Sequence, residues 1–488
     1  MTVRSPASDV AAATREHYEG LALFADPIHA YIPFTVPREA EPQEITEKDL
    51  IDSPWVQRLR YIAQLQTARW VFPGAEHSRF QHSLGAMHVA GRFARQLYPS
   101  LRTLEPACPS LPYVESLLRM AALLHDVGHG PFGHFFDEHH LAQYGIGHEA
   151  LGEQLILHEL GMLLRGLRRS PGGVFAVSEV LEPHYVAYVM QKKAPEDHCM
   201  PRWLRLLKPV LSGVYTADNL DYVLRDAYMC GVAIGPVDLE RLLHYTMLSA
   251  PGLTLHKAGI GALTMFLQAR LYLYTHVYLH RTSRALDLHL RELFADTMRY
   301  LCPGNPLAML ERYQRLTDWA LLETVRDWAS ATEPAKRRLG EGWHQLLRRE
   351  VKWKMAYDAT LLVRSYERRT GQPVQLAQLQ ARLQQALADE VPGLSWQLDV
   401  ARQDPRNIDP GATGESPLLI YDPATGDIYP ELLEDILEHI PVTLTQYRLY
   451  TTERSAQPRL ARACEQVLSE PAVLPVTHAS RCSEQPWR

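Results

Sequence analysis

Apolar residues recur at helical spacing over most of the first 350 positions. Leu84, Met87, Phe93 and Leu97 form one broad face; Leu117, Leu118, Met120, Ala121 and Leu124 form a second; Leu263, Phe266, Leu267 and Leu271 form a third. Such faces mark helices that bury one side. Breaks rich in proline and glycine separate the runs, at Phe72-Pro-Gly, Cys108-Pro-Ser-Leu-Pro, Ser170-Pro-Gly-Gly and Lys193-Ala-Pro-Glu-Asp. There is no glycine-rich nucleotide loop, no repeat of fixed period and no alternation of strands with helices. Strand patterns gather late, at 417–422 and 443–451, with the turn signal Asp422-Pro-Ala-Thr-Gly-Asp between them. The expected fold is mainly α. A helical core occupies 19–350 and a smaller α+β C-terminal lobe 351–470, with a flexible leader over 1–18, a loop over 403–414 and a flexible tail over 471–488.

Composition narrows the class. The 488 residues suffice for two or three domains, and 46% hydrophobic with 22% charged residues is ordinary for a globular chain. A net charge of −6 offers no global field for nucleic acid or anionic membrane, so neither is expected as a main partner. Six cysteines without a CxxC pair read as reduced thiols. No apolar run reaches membrane-span length and the N-terminus lacks the apolar core of a secretion signal, so the expected location is the cytoplasm.

Candidate chemistry sits in four short stretches: His82, the adjacent pair His125-Asp126, and Asp218. The pair ends the apolar run Met120-Ala-Ala-Leu-Leu, where burying an imidazole and a carboxylate together is costly unless something compensates. A metal does so directly. Two imidazoles and two carboxylates suit one divalent ion (Mn, Fe, Mg or Zn), and an octahedral shell leaves positions for water and a phosphate oxygen. Gly128, Gly130 and Gly133 follow the pair and allow tight turns that bring His129 and His134 into the same cavity. The plainer alternative is a buried His-Asp ion pair closing a helix.

The blocks Val71-Phe-Pro-Gly-Ala-Glu-His-Ser-Arg-Phe-Gln-His82-Ser-Leu-Gly, His125-Asp-Val-Gly-His-Gly-Pro-Phe-Gly-His134, His148-Glu149 and Asp218-Asn-Leu-Asp-Tyr-Val-Leu-Arg-Asp226 occur in that order. In this the chain resembles the HD-domain superfamily of metal-dependent phosphohydrolases, in its deoxynucleoside triphosphate triphosphohydrolase branch, from Asp26-Pro-Ile-His to about Arg281. The resemblance implies a helical HD-domain core and a metal on His82, His125, Asp126 and Asp218. Hydrolysis of a deoxynucleoside triphosphate to deoxynucleoside and inorganic triphosphate follows from it. Activated water attacks the α-phosphorus and His134 protonates the leaving 5′-oxygen. His148 and Glu149 orient His134, and His129 contacts phosphate.

Substrate contacts are also implied. Arg79 and the stripe Arg270, Tyr274, Tyr278 meet phosphate and base; Tyr222 packs on the sugar and excludes a 2′-hydroxyl; Gln64, Leu65 and Asp226 touch the sugar. The bland reading of the stripe is helix packing. One departure is chemical: Asn219 stands where vertebrate members of the branch carry a phosphate-binding lysine, with Arg225, Arg281 or a second Mg ion as replacements. Asp52, Gln57 and Arg60 match a guanine-reading activator-nucleotide site between subunits, or form an ion pair of Asp52 with Arg60 at a helix start. Ala22 and Ala25 replace a lysine and an asparagine of that site. A homo-oligomer, dimer or tetramer, is the habit of the branch. Other readings are hydrolysis of another phosphoester (a monophosphate, a cyclic nucleotide, a single-strand end) and a non-catalytic nucleotide sensor.

Overall fold

The structure, a computed structural model, describes residues 19–191, 199–363, 381–387, 393–403, 418–431 and 443–469. The expected leader and tail, nearly all of the loop expected over 403–414 and the whole break at Lys193 lie outside these residues. The chain is mainly α. Its principal helices are α1 (Arg79–Leu104), α2 (Leu111–Leu124), α3 (His134–His139), α4 (His148–Gln154), α5 (Ala217–Cys230), α6 (Ile260–Leu273), α7 (Arg281–Leu301), α8 (Asp318–Arg326) and α9 (Gln457–Ser469).

Local chemistry sets the ends of the helices that matter here. Ser78 opens α1 with a capping box, its backbone N–H donating to the Gln81 side chain at 2.9 Å. Ser110 caps α2, which ends at Leu124, directly before the His125-Asp126 pair. The apolar faces read from the sequence are the ones buried: Met87, Phe93, Leu97, Leu117 and Leu124 are fully enclosed. α1 packs along α2 on one side and α5 on the other. Gly85 of α1 permits the second approach, since a Cβ there would lie 1.8 Å from Asp221 Oδ1 of α5. The two chain segments that carry the metal candidates are thereby drawn together.

Strand β1 (Leu21–Asp26) pairs antiparallel with β2 (Ala30–Thr35), and their turn, at Asp26 to Ala30, reaches α5. A second hairpin, β3 (Thr246–Ser249) with β4 (Gly252–His256), precedes α6. In the C-terminal part β5 (Lys354–Val363) and β6 (Trp396–Gln403) flank β9 (Thr443–Thr451), all antiparallel, with α9 against β5. This sheet rests on α7 through Trp353, Tyr450, Ala285 and Leu288, and through the pair Arg284–Asp399.

The expected two-strand pattern of the C-terminal lobe divides between two sheets. Strand β7 (Leu418–Tyr421) runs parallel to β4 of the core, with Leu255 opposite Ile420. The Asp422 turn leads into β8 (Ile428–Glu431), a strand that the apolar pattern did not reveal, which pairs with β7. Ile420 is fully buried in the main core cluster, so a hairpin of the C-terminal segment belongs to the core, and the boundary expected at 350 is crossed by packing. β8 hides because Pro430 interrupts it; it lies at the sheet edge, where proline is tolerated.

Candidate metal centre and pocket

His82 lies one turn into α1, and His125 and Asp126 lie where α2 stops. Asp218 lies in the first turn of α5, whose capping box is made by Thr216 and Asn219. Their donor atoms converge. His82 Nε2 is 3.3 Å from His125 Nε2 and 3.1 Å from Asp218 Oδ1. His125 Nε2 is 3.4 Å from Asp126 Oδ1 and 3.6 Å from Asp218 Oδ1. Ligand bonds of about 2.1 Å place neighbouring donors about 3 Å apart, so these separations suit one shared cation.

The outer partners point the same way. His125 Nδ1 sits 2.7 Å from the Ala122 carbonyl and His82 Nδ1 2.8 Å from Asp221 Oδ2, so each ring turns Nε2 to the centre. Burial by itself would raise the Asp126 carboxyl, but Arg79, 2.6 Å away, and His125 hold it well below the usual carboxylate range. Asp218 is likewise lowered against the effect of burial, by His125 and His82. Two ionised carboxylates and two imidazoles facing each other in a protected site have the donor chemistry that fits a divalent cation, and His82, His125 and Asp126 lie close enough to hold one together.

The centre opens into a cavity of about 410 Å³. Its walls carry Gln64, Leu65, Arg79, His134, His148, Glu149, Tyr222, Asp226, Arg270, Tyr274 and Tyr278 beside the four metal candidates. Residues spread over more than two hundred positions are brought to one chamber. Tyr222 stands edge-on to His82 and to Tyr278, with ring centroids at 6.4 and 6.3 Å. Asp226 is engaged on both oxygens, by Tyr278 Oη at 2.6 Å and by His77 Nε2 at 2.8 Å. The stripe Arg270, Tyr274, Tyr278 is not one continuous α-helix. α6 passes into a π-helical turn over Tyr274–Tyr278, yet all three side chains reach the wall. Arg270 is 2% exposed, its guanidinium is flanked by the rings of Tyr222 and Tyr274, and its Nε and Nη1 make no hydrogen bond among the described residues.

A histidine pair, His134 and His148, also lines the cavity. The chain turns through Phe132 (φ 61°) and Gly133 (φ 53°) to start α3 at His134. A Cβ on Gly133 would come within 2.3 Å of Arg79 Nη2, so this turn also leaves space for that arginine. His134 Nδ1 is 3.3 Å and His148 Nδ1 2.6 Å from the same oxygen, Asp137 Oδ2. The His134 side chain is 64% open, toward the cavity it lines. Desolvation by the surrounding protein, with the charges of His148 and Arg79, lowers its pKa against the pull of Asp137.

Several expectations need correction. The carboxylate placed against His134 and His148 is Asp137, three residues along α3; Glu149 lines the cavity beside them. His129 is fully buried, stacked on His148 at 3.8 Å with Nε2 3.3 Å from Asp126 Oδ1, and does not line the cavity, so contact with phosphate is not its place. Asn219 spends its side chain on the cap of α5, accepting from the Thr216 N–H at 2.7 Å. Arg225, named as a substitute for a missing lysine, is buried against Asp221 and Asp26, and Arg281 is not on the wall. Asp52 pairs with Lys48 rather than Arg60, while Gln57 bonds to the Ile51 carbonyl and to Arg60, which lies over the Phe80 ring. These three lie apart from the cavity wall.

Sequence reasoning missed Asp137, Asp221 and Asp287. Asp287 lines the cavity and accepts a hydrogen bond from Thr67. Asp137 and Asp221 each stand three residues after a flagged residue on the same helix, and that spacing was the available signal.

Comparison with known proteins agrees with this geometry. Residues 79–203 match the HD domain and residues 237–369 the HD associated region. The uncharacterized protein YwfO of Bacillus subtilis is 30% identical over 56% of this chain and 54% of its own. Deoxynucleoside triphosphate triphosphohydrolase SAMHD1 of Gallus gallus is 27% identical over 69% of this chain and 56% of its own. This chain therefore spans about half the length of the curated relatives it matches. In fold it is similar to a hypothetical protein from Aquifex aeolicus, with a TM-score of 0.65 and 24% identity over 91% of this chain and 99% of that one.

Proposed function

The chain is an HD-domain protein carrying the HD-associated region, and from that premise we propose that it is a metal-dependent phosphohydrolase that converts deoxynucleoside triphosphates to deoxynucleoside and inorganic triphosphate. One observation carries the reading: a single cavity joins the four-residue metal centre, an open imidazole at His134, and an Arg270 guanidinium with two unpartnered nitrogens. His82, His125, Asp126 and Asp218 would hold a divalent ion, which, with a second Mg on the substrate, would supply Lewis acidity toward phosphate oxygens and lower the pKa of water.

The chain's own residues do the rest. Arg270 receives the triphosphate, because burying a guanidinium with two of its nitrogens unpaired is costly and a polyanion relieves that cost. Arg79, already paired with Asp126, adds positive potential at the near end. His134 is held by Asp137 with its ring in the cavity. Its lowered pKa leaves it neutral in the empty pocket, and phosphate charge beside it raises its affinity for the proton it then gives to the departing 5′-oxygen. Tyr222, between the metal centre and Tyr278, presses on the sugar face, where a 2′-hydroxyl would collide.

A second reading, hydrolysis of a smaller phosphoester, is favoured by one feature: Asn219 is committed to the α5 cap, and of the wall arginines Arg79 and Arg270 only Arg270 has no carboxylate partner among the described residues. Substrate profiling decides between them. Metal-loaded protein is incubated with the four dNTPs, the matching rNTPs, deoxynucleoside monophosphates and cyclic nucleotides, with and without GTP, beside a His125→Ala/Asp126→Ala variant. Deoxynucleoside and triphosphate formed only by the wild type uphold the first reading. Turnover confined to the other substrates upholds the second. A requirement for GTP would assign Asp52, Gln57 and Arg60 to an activator site.

A further inference from the structure

The turn between the metal pair and His134 is held from outside the HD domain. Tyr313 Oη donates to the Gly128 carbonyl at 2.7 Å. Arg58 Nη1 donates to the His129 carbonyl at 2.7 Å, while its Nη2 donates to the Leu316 carbonyl at 2.9 Å, so one guanidinium joins that turn to the 313–316 segment. At the start of α8, Asp318 completes the arrangement. Its Oδ1 accepts from the Phe132 N–H at 2.7 Å and its Oδ2 from the Ala63 N–H at 2.9 Å.

Those two amides belong to segments 69 residues apart in sequence, as 132 and 63 differ by 69, and each adjoins the cavity wall. Phe132 stands two residues before His134, in a left-handed conformation (φ 61°) that a non-glycine residue adopts at a cost. Ala63 directly precedes Gln64 and Leu65. Asp318 is 1% exposed and makes no ion pair among the described residues. A buried carboxylate without a direct ion-pair contact is an expensive way to fill a core, and the two backbone N–H groups are the partners it meets there.

We propose that Asp318 is a positioning residue through which the HD-associated region sets the active site, one carboxylate fixing both the turn that aims His134 and the segment that leads into Gln64 and Leu65. The catalytic consequence rests on the reading of His134 as proton donor; the clamp itself does not. Replacing Asp318 by asparagine keeps the shape but leaves only one acceptor oxygen for two N–H groups, so one of the segments is released.

The test compares wild type, Asp318→Asn and Asp318→Glu in the full chain. Three quantities are read: metal content, backbone hydrogen exchange of peptides spanning 60–66 and 130–136, and kinetics on a dNTP and on bis(p-nitrophenyl) phosphate. The aryl ester expels p-nitrophenolate without needing a proton, so it reports the metal centre independently of His134. In Asp318→Asn we expect faster exchange in at least one of the two peptides, unchanged metal content, kcat on the dNTP down about 100-fold, and aryl-ester turnover retained. Asp318→Glu should recover part of the lost kcat. Equal loss on both substrates, loss of metal, or unchanged exchange and kcat overturns the proposal. Failure of both variants to fold would make Asp318 a core residue and overturns it as well. If the wild type turns over no dNTP, the proposed function falls while exchange still decides the clamp: acceleration in Asp318→Asn at unchanged metal content upholds it, and unchanged exchange overturns it.

Discussion

His82 Nδ1 and Asp221 Oδ2 lie 2.8 Å apart, and the carboxylate in that contact is fully buried. Asp221 is itself fixed by Arg225 Nε and Nη2, at 2.9 and 2.8 Å, and by His29 Nε2 at 2.7 Å. Arg225 continues to Asp26 at 2.8 Å, so the turn between β1 and β2 is wired to the metal centre. A carboxylate behind a ligand histidine fixes its tautomer and raises its basicity. Asp221→Asn is therefore expected to weaken metal affinity roughly 10- to 100-fold. Competition against a graded set of chelators measures it, and unchanged affinity would remove Asp221 from this role.

Arg270 makes a different kind of contribution. Losing a charge-assisted contact to substrate costs about 1.5–3 kcal/mol, which is roughly 10- to 100-fold in kcat/KM. Arg270→Ala should show that loss mostly in KM, with the metal content of the wild type. A loss confined to kcat would mean that the guanidinium serves the transition state rather than binding.

On the proposed reading, His134→Ala removes the proton donor and leaves the metal candidates His82, His125, Asp126 and Asp218 in place. The expected outcome is a fall in kcat of about 10²- to 10⁴-fold at unchanged metal stoichiometry. Steady-state kinetics and elemental analysis of the same preparation check both halves.

Acid should destabilise the fold through His140. It is 3% exposed, packed against Phe136, with Nε2 lacking a partner, and burial brings its pKa down to about 4 from 6.5. Between those values the unfolded chain takes up the proton and the folded chain does not. Its contribution is complete above about pH 6.5 and is lost as pH falls toward 4. His140→Phe should flatten that part of the stability profile, read as urea midpoints across the range; an unchanged slope would assign acid sensitivity to other groups.

Much of this site is legible in the chain because its parts are local and distinctive. His125 and Asp126 ending an apolar helix, and the glycines that follow, carry their chemistry in adjacent letters. So do the Leu84 and Leu117 faces, whose helical period is strong and which pack as read. The parts that resist reading are set by distant partners. Nothing near Asp318 announces that it will meet Ala63 and Phe132, because the contact exists only after α8 packs on the turn. Asn219 looked like a lost phosphate ligand because a capping box and a binding position occupy the same first turn of a helix. The apolar run that forms β7 reads as part of the C-terminal lobe beside it in sequence, whereas its partner in the core, β4, lies more than 150 positions earlier.

The most direct test of the central claim is product analysis in ¹⁸O-labelled water. Metal-loaded protein is supplied with a dNTP, and the phosphorus products are resolved by ³¹P NMR and mass spectrometry. Attack at the α-phosphorus with departure of the 5′-oxygen predicts unlabelled deoxynucleoside and inorganic triphosphate carrying one ¹⁸O. Deoxynucleoside monophosphate with pyrophosphate, or orthophosphate released from the γ position, would contradict the account.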